Sequence, residues 1–205
     1  MPEIKCGCGE PLAKPHQLTT KCCNVTRSST RSVTIDWSSV TKSKILGIDV
    51  GGVIVSKAGD FGDTSFFSDR FLETPPTDQV FEVLARIVPN FDDVLIISKC
   101  GTNVQRKTMA WMDHHDFYGK TGIARSKFNF CFKREEKVPI AQFWGVTHYV
   151  DDRIDIIKSM KDTVPNLFLF TPDIRATVTQ GGFYMVPSWP KLERLLEVLD
   201  KRETA

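Results

Sequence analysis

The chain has 205 residues, enough for one sizeable hydrophobic core and too few for two full domains. Its hydrophobic and charged fractions, 41% and 25%, are those of an ordinary globular protein, and no apolar run approaches the roughly 20 residues that a membrane-spanning helix needs. A net charge of +2 singles out neither a nucleic-acid nor a membrane partner.

Residues 1 to 42 are rich in Ser, Thr, Lys and Pro, without sustained apolar periodicity, and read as a tail or small appendage ahead of a domain over 43–205. Glu3, Glu10 and two prolines precede any apolar stretch, so the segment lacks the plan of a secretory signal and the expected location is cytoplasmic. Cys6, Cys8, Cys22 and Cys23 crowd this segment with His16 among them. They offer a Zn²⁺ site, although C-x-C followed by C-C departs from paired C-x-x-C knuckles and free thiols are the competing reading. Cys100 and Cys131, set in apolar surroundings, read as small buried hydrophobes.

From Ile45 onward, short apolar runs alternate with amphipathic stretches. Strands are expected at Ile45–Val50, Val94–Ser98, Phe128–Phe132, His148–Asp151 and Leu167–Thr171. Between them, Thr77–Val88 carries Val80, Phe81, Val83, Leu84 and Ile87 on one face, with Thr77 or Asp78 placed to cap it. Helical patterns also cover Asn103–His115, Lys137–Trp144 and Trp189–Leu199. This rhythm predicts an α/β fold of three layers, a Rossmann-like parallel sheet covered on both faces.

Three strand ends carry chemistry. The first run ends Ile48-Asp49-Val50-Gly51-Gly52, a carboxylate at the carboxyl end of a buried strand, where open parallel sheets bind ligands, followed by glycines that admit a close backbone approach. By itself this is equally a tight turn. The second run ends in Ser98, followed by Lys99-Cys100-Gly101 and a helix start suited to an anion. The third ends in the adjacent carboxylates Asp151-Asp152; two such neighbours repel unless a proton or cation separates them, and hard oxygen donors suit Mg²⁺.

Across residues 44 to 175 the order of these motifs resembles the haloacid-dehalogenase-like superfamily: a strand ending D-x-x-G-[TV], a strand ending in Ser or Thr, a lysine, and a strand ending in an acidic pair. The resemblance implies a magnesium-dependent phosphohydrolase in which Asp49 is the nucleophile, forming an aspartyl-phosphate. It implies metal ligation by Asp49, the carbonyl of Gly51, Asp151 and Asp152, with Asp152 the more direct ligand of the pair and Asp155 orienting them from behind. Phosphate would be held by Ser98, Lys99, Gly52 and the family lysine. Lys133 and Lys137 both precede the last acidic strand; Lys137, opening the helix that feeds it, fits the family order, whereas Lys133 lies in a charge run.

Many relatives carry a second Asp two residues after the nucleophile as general acid and base; here the position is Gly51, which leaves open a catalytically weak or inactive binding protein. Asp60, Asp63, Asp69, His114 and His115 are candidate substitutes. The gaps between motifs leave room for only a minimal cap, so the substrate is a small phosphorylated molecule or a macromolecular end, with Lys120, Arg125, Lys127, Lys133 and Arg134 as a candidate nucleic-acid stripe. A phospho-receiver domain uses similar groups, but with its acidic pair near the first strand. The oligomeric state is not legible.

Overall fold

The computed structural model describes residues 43–57 and 69–203. The division near residue 42, the zinc expectation at Cys6, Cys8, Cys22 and Cys23, and the candidates Asp60 and Asp63 lie outside the described residues.

Strands β1 (Ile45–Ile48), β2 (Asp93–Lys99), β3 (Phe128–Cys131), β4 (His148–Asp151), β5 (Asn166–Phe170), β6 (Val178–Gln180) and β7 (Phe183–Val186) form one sheet of order β3-β2-β1-β4-β5-β7-β6. All neighbours pair in parallel except β6, which lies antiparallel on the β7 edge. The helices are α1 (Val80–Ile87), α2 (Thr102–His114), α3 (Phe117–Thr121), α4 (Lys137–Trp144), α5 (Ile154–Ser159) and α6 (Trp189–Glu203).

The central strands are largely apolar because each face meets its own core. Leu46, Ile48, Val94, Ile96, Phe168 and Phe170 pack with residues of α1, α2 and α6; Leu95, Ile97, Tyr149, Leu167 and Leu169 pack with residues of α4 and α5. The alternation within β2 and β5 is the period of two that sends neighbouring side chains to opposite layers. Two indoles pin the layers to loops: Trp189 Nε1 donates to the Val53 carbonyl at 2.9 Å, and Trp111 Nε1 to that of Thr74 at 2.8 Å.

Most expected elements recur with shifted ends, and α1 starts three residues later than expected. It begins at Val80, preceded by Gln79 in the left-handed conformation at φ 57°, and neither Thr77 nor Asp78 caps it. The reason is long-range: the Thr77 N–H donates to the Ile54 carbonyl at 2.8 Å, which commits residues 77–79 to the turn beside β1. The sequence patterns did not yield α3, α5 or the β6–β7 hairpin. Among the described residues, the stretch from β1 to α1 adds only a 3₁₀ turn, Phe71–Glu73. No helix among the described residues is long and apolar enough to cross a membrane.

The chain leaves β1 for β2 on one side, while β4 pairs on the other. The sheet order therefore reverses at the β1–β4 junction, where such folds open a crevice beyond the strand ends. Both acidic motifs end there.

Candidate functional site

Asp49 follows β1 directly, its N–H donated to the Val150 carbonyl at 3.0 Å, so the backbone pairing with β4 runs right up to the carboxylate. The chain then turns sharply: the Val50 carbonyl accepts from Ile54 at 2.9 Å and Val55 at 3.0 Å, and Gly52 adopts φ +78°. This left-handed step, open to glycine at little cost, is why β1 ends at Ile48 rather than at Val50.

Lys137, the first residue of α4, is buried and reaches two carboxylates at once. Its Nζ donates to Asp49 Oδ1 at 2.8 Å and to Asp151 Oδ2 at 2.7 Å. Lys133 is exposed, so Lys137 alone of the two candidates meets Asp49. Asp151 is fully buried and its oxygens are already engaged: Oδ2 also accepts from the Tyr149 hydroxyl at 3.1 Å, and Oδ1 from the Arg153 N–H at 3.0 Å. Asp152 turns toward the cleft, ion-paired with Lys57. One oxygen each of Asp49, Asp151 and Asp152 lies within 4.8 Å of the others.

Burial dominates the electrostatics. It raises the Asp49 carboxyl to a pKa of about 7 against the pull of Lys137, with the charges of Asp151 and Asp152 adding to the rise. Burial likewise raises Asp151, again opposed by Lys137. For Lys137 burial disfavours the charge, but Asp49 and Asp151 outweigh it and its pKa stands above the ordinary lysine value. Tyr149, pushed well above its usual range by burial, stays a hydrogen-bond donor. Three carboxylates, held by Lys137 and Lys57, form a set built of the hard oxygens that suit a divalent cation such as Mg²⁺.

Asp49, Asp152 and Lys137 line a cleft of about 220 Å³ together with Ser98, Lys99, Cys100, Gly51, Gly52, Lys57, Arg134 and Arg153. Ser98 is buried near the end of β2, and Gly101 leads into α2 in extended conformation. Gly52 lines the cleft, but its N–H is donated to the Val55 carbonyl at 2.8 Å, so it contributes space rather than a phosphate donor. Asp155 does not stand behind the acidic pair; it bonds exposed Arg153 at 3.0 Å. Asp69 and His114 are exposed, and His115 stacks on Trp111 with Nε2 3.1 Å from the Leu72 carbonyl; none of the three lines the cleft. Of the expected basic stripe only Arg134 reaches the cleft, while Lys127 and Arg125 pair with Asp93 and Asp113. Cys100 and Cys131 are buried thiols, raised by burial above the ordinary value, to about 11 for Cys100.

Two contributors escaped the sequence motifs. Tyr149 is two residues before Asp151 on β4, hence on the same face, a signal that period-two reading carries. Lys57 reaches Asp152 only because the turn after Val50 folds back, and no local pattern announces that.

No family model and no curated protein matches the sequence. The structure is similar to a haloacid-dehalogenase-like family hydrolase from Xanthomonas campestris, at TM-score 0.55 and 9% identity over 79% of this chain and 98% of that one. It is also similar to the D,D-heptose 1,7-bisphosphate phosphatase from B. bronchiseptica complexed with magnesium and phosphate, at TM-score 0.51 and 14% identity over 75% of this chain and 97% of that one. The chain thus has the haloacid-dehalogenase-like fold.

Proposed function

We propose that the chain is a phosphohydrolase that acts on phosphate monoesters through an aspartyl-phosphate on Asp49, with Mg²⁺ as its cation. The observation that carries this reading is the joint placement of Asp49, Asp151 and Asp152 around Lys137 at the crevice of the sheet. A structural neighbour that is a phosphatase complexed with magnesium and phosphate lends support.

The carboxylates of Asp49 and Asp152 and the carbonyl of Gly51 would hold the cation, with Asp151 adding charge from behind while it anchors Lys137. Bound there, Mg²⁺ would neutralise charge on the transferring phosphoryl oxygens. Asp49 supplies the nucleophile: Lys137 fixes Oδ1, leaving Oδ2 to attack phosphorus in line. The P–O bond to the substrate breaks as the bond to Asp49 forms, and the departing oxygen takes a proton from solvent. Lys137, Ser98 and Lys99 face the same cleft and favour charge on the phosphoryl group through fixed donors. Water then attacks the acyl phosphate, releasing phosphate and restoring the Asp49 carboxylate.

Gly51 favours a second reading, a fold retained for binding with turnover lost, because no carboxylate stands where a general acid is usual. Magnesium-dependent phosphate release from an aryl phosphate separates the two. Asp49→Asn abolishes release if the chain is an enzyme, and equal rates in the two proteins leave only the binder.

A further inference from the structure

The hydrolysis described above makes no use of Lys57, yet this residue is held in a defined place. Gly51 bridges Val55 in parallel, and Val55 bridges Pro76 on its other side. The Ser56 N–H donates to the Pro75 carbonyl at 3.0 Å, so the main chain at the root of Lys57 is pinned. From that root the stem crosses Gly52, where a Cβ would stand 2.8 Å from Lys57 Cε, and the ammonium pairs with Asp152 Oδ2. The side chain of Lys57 is 62% exposed and that of Asp152 7%, so the lysine reaches inward from solvent to a nearly buried carboxylate.

We propose that Lys57 and the divalent cation exchange places on Asp152, the ion displacing the ammonium and the released ammonium serving the anionic substrate in the same cleft. This rests on the phosphohydrolase reading.

The division of charge leads there. Lys137 is shared by Asp49 and Asp151, and Asp151 has no oxygen without a protein donor. A cation joining the cluster must therefore draw on Asp152, the carboxylate that Lys57 holds. Two cations on one carboxylate repel, and the one on a flexible, solvent-exposed stem yields. A lysine suits this task better than an arginine, whose rigid fork would grip both oxygens. Once displaced, the ammonium remains among the cleft residues beside Ser98 and Lys99. Metal binding thereby makes positive charge available for a phosphate, and by linkage phosphate binding favours the metal.

The test is calorimetry on the full chain without organic substrate. Lys57→Met binds Mg²⁺ about twofold to fivefold more tightly than the parent, the range an ion pair with an exposed partner commands. With Mg²⁺ saturating, inorganic phosphate binds about threefold to tenfold more weakly to the same variant, whereas Lys57→Arg, whose fork keeps its grip on Asp152, binds Mg²⁺ more weakly than the parent. Unchanged or weaker Mg²⁺ binding in Lys57→Met, or unchanged phosphate binding, overturns the exchange. If the parent binds Mg²⁺ as tightly as the variant does, the exchange alone falls; if neither binds it and Asp152→Asn makes no difference, the phosphohydrolase reading falls with it.

Discussion

Gly52 stands so close to Asp152 that a Cβ at position 52 would lie 2.5 Å from the carboxylate Oδ2. The missing side chain is therefore part of how the acidic cluster is built, in addition to permitting φ +78°. Gly52→Ala forces Asp152 aside and strains the backbone, at a cost of about 1–3 kcal/mol. The expected result is that loss of stability in chemical denaturation together with Mg²⁺ affinity at least about tenfold weaker. Wild-type Mg²⁺ affinity in this variant would remove Asp152 from the ligand set.

Lys137→Met leaves two buried carboxyls without their shared counter-ion. Breaking such a pair from one side commonly costs about 3–5 kcal/mol. Asp49 already titrates near 7 with the ammonium present, raised by burial, so without it the carboxyl is protonated at neutral pH and the nucleophile is lost. Phosphate release is expected to fall at least about a hundredfold. The pH dependence carries a definite sign. With both carboxyl values raised further, the folded variant binds protons that the unfolded chain does not, so its stability rises as pH falls from 7 toward 5. A denaturation series in that window checks it: a deficit that stays constant with pH means the loss is one of packing rather than charge.

The sheet and most of its acidic ends were legible because buried parallel strands are apolar on both faces, as the runs at Val94–Ile97 and Leu167–Phe170 show. Asp49, Ser98 and the acidic pair were legible for the same reason, since each closes or follows such a run, whereas the choice of Lys137 rested on the order of motifs in the resemblance. What sequence patterns could not supply are features decided at long range. The start of α1 moved because Thr77 bonds Ile54, not because its local capping residues are poor. Strand β6 is three residues, Val178-Thr179-Gln180, at the edge of the sheet, and β7 is only half-buried at its middle, so the hairpin lacks the continuous burial that marks β1, β2, β4 and β5. The resemblance placed Asp155 behind the acidic pair, but its position in the first turn of α5 directs it to Arg153.

His148 ties stability to pH independently of the acidic cluster. It packs edge-on against Phe91 and parallel to Phe168, its Nδ1 lies 2.9 Å from Thr147 Oγ1, and its buried Nε2 has no partner among the described residues. Burial, helped by the charge of Lys44 and opposed by Asp200, lowers its pKa from 6.5 to about 4. Between those values the unfolded chain holds a proton that the folded one lacks. This contribution is therefore complete above pH 6.5 and drains away as pH falls toward 4, by up to about 3 kcal/mol. His148→Phe keeps the aromatic stack and removes the linkage, so its stability should decline less than that of the parent from pH 7 to 4.5. The comparison cancels the carboxylates, which both proteins share; parallel curves would acquit His148.

Gly51 leaves room for the group that the mechanism lacks. Among the described residues a Cβ added there meets nothing within 4 Å, and Gly51 is absent from the positive-φ positions, so an aspartate fits without backbone strain. Its bridge to Val55 is made by the main chain and survives the substitution. A carboxyl two residues after Asp49, on the same cleft, can deliver the proton that the departing oxygen otherwise draws from solvent. Positioned proton transfer commonly contributes about 10²- to 10⁴-fold, and less where the leaving group is already stable as an anion. Gly51→Asp should therefore raise kcat strongly for an alkyl phosphate, whose alkoxide leaves poorly, and only slightly for an aryl phosphate. The double variant with Asp49→Asn should remain inactive on both, which ties the gain to the nucleophile. An equal kcat on the alkyl ester before and after Gly51→Asp would mean that the chain already supplies its acid from another residue.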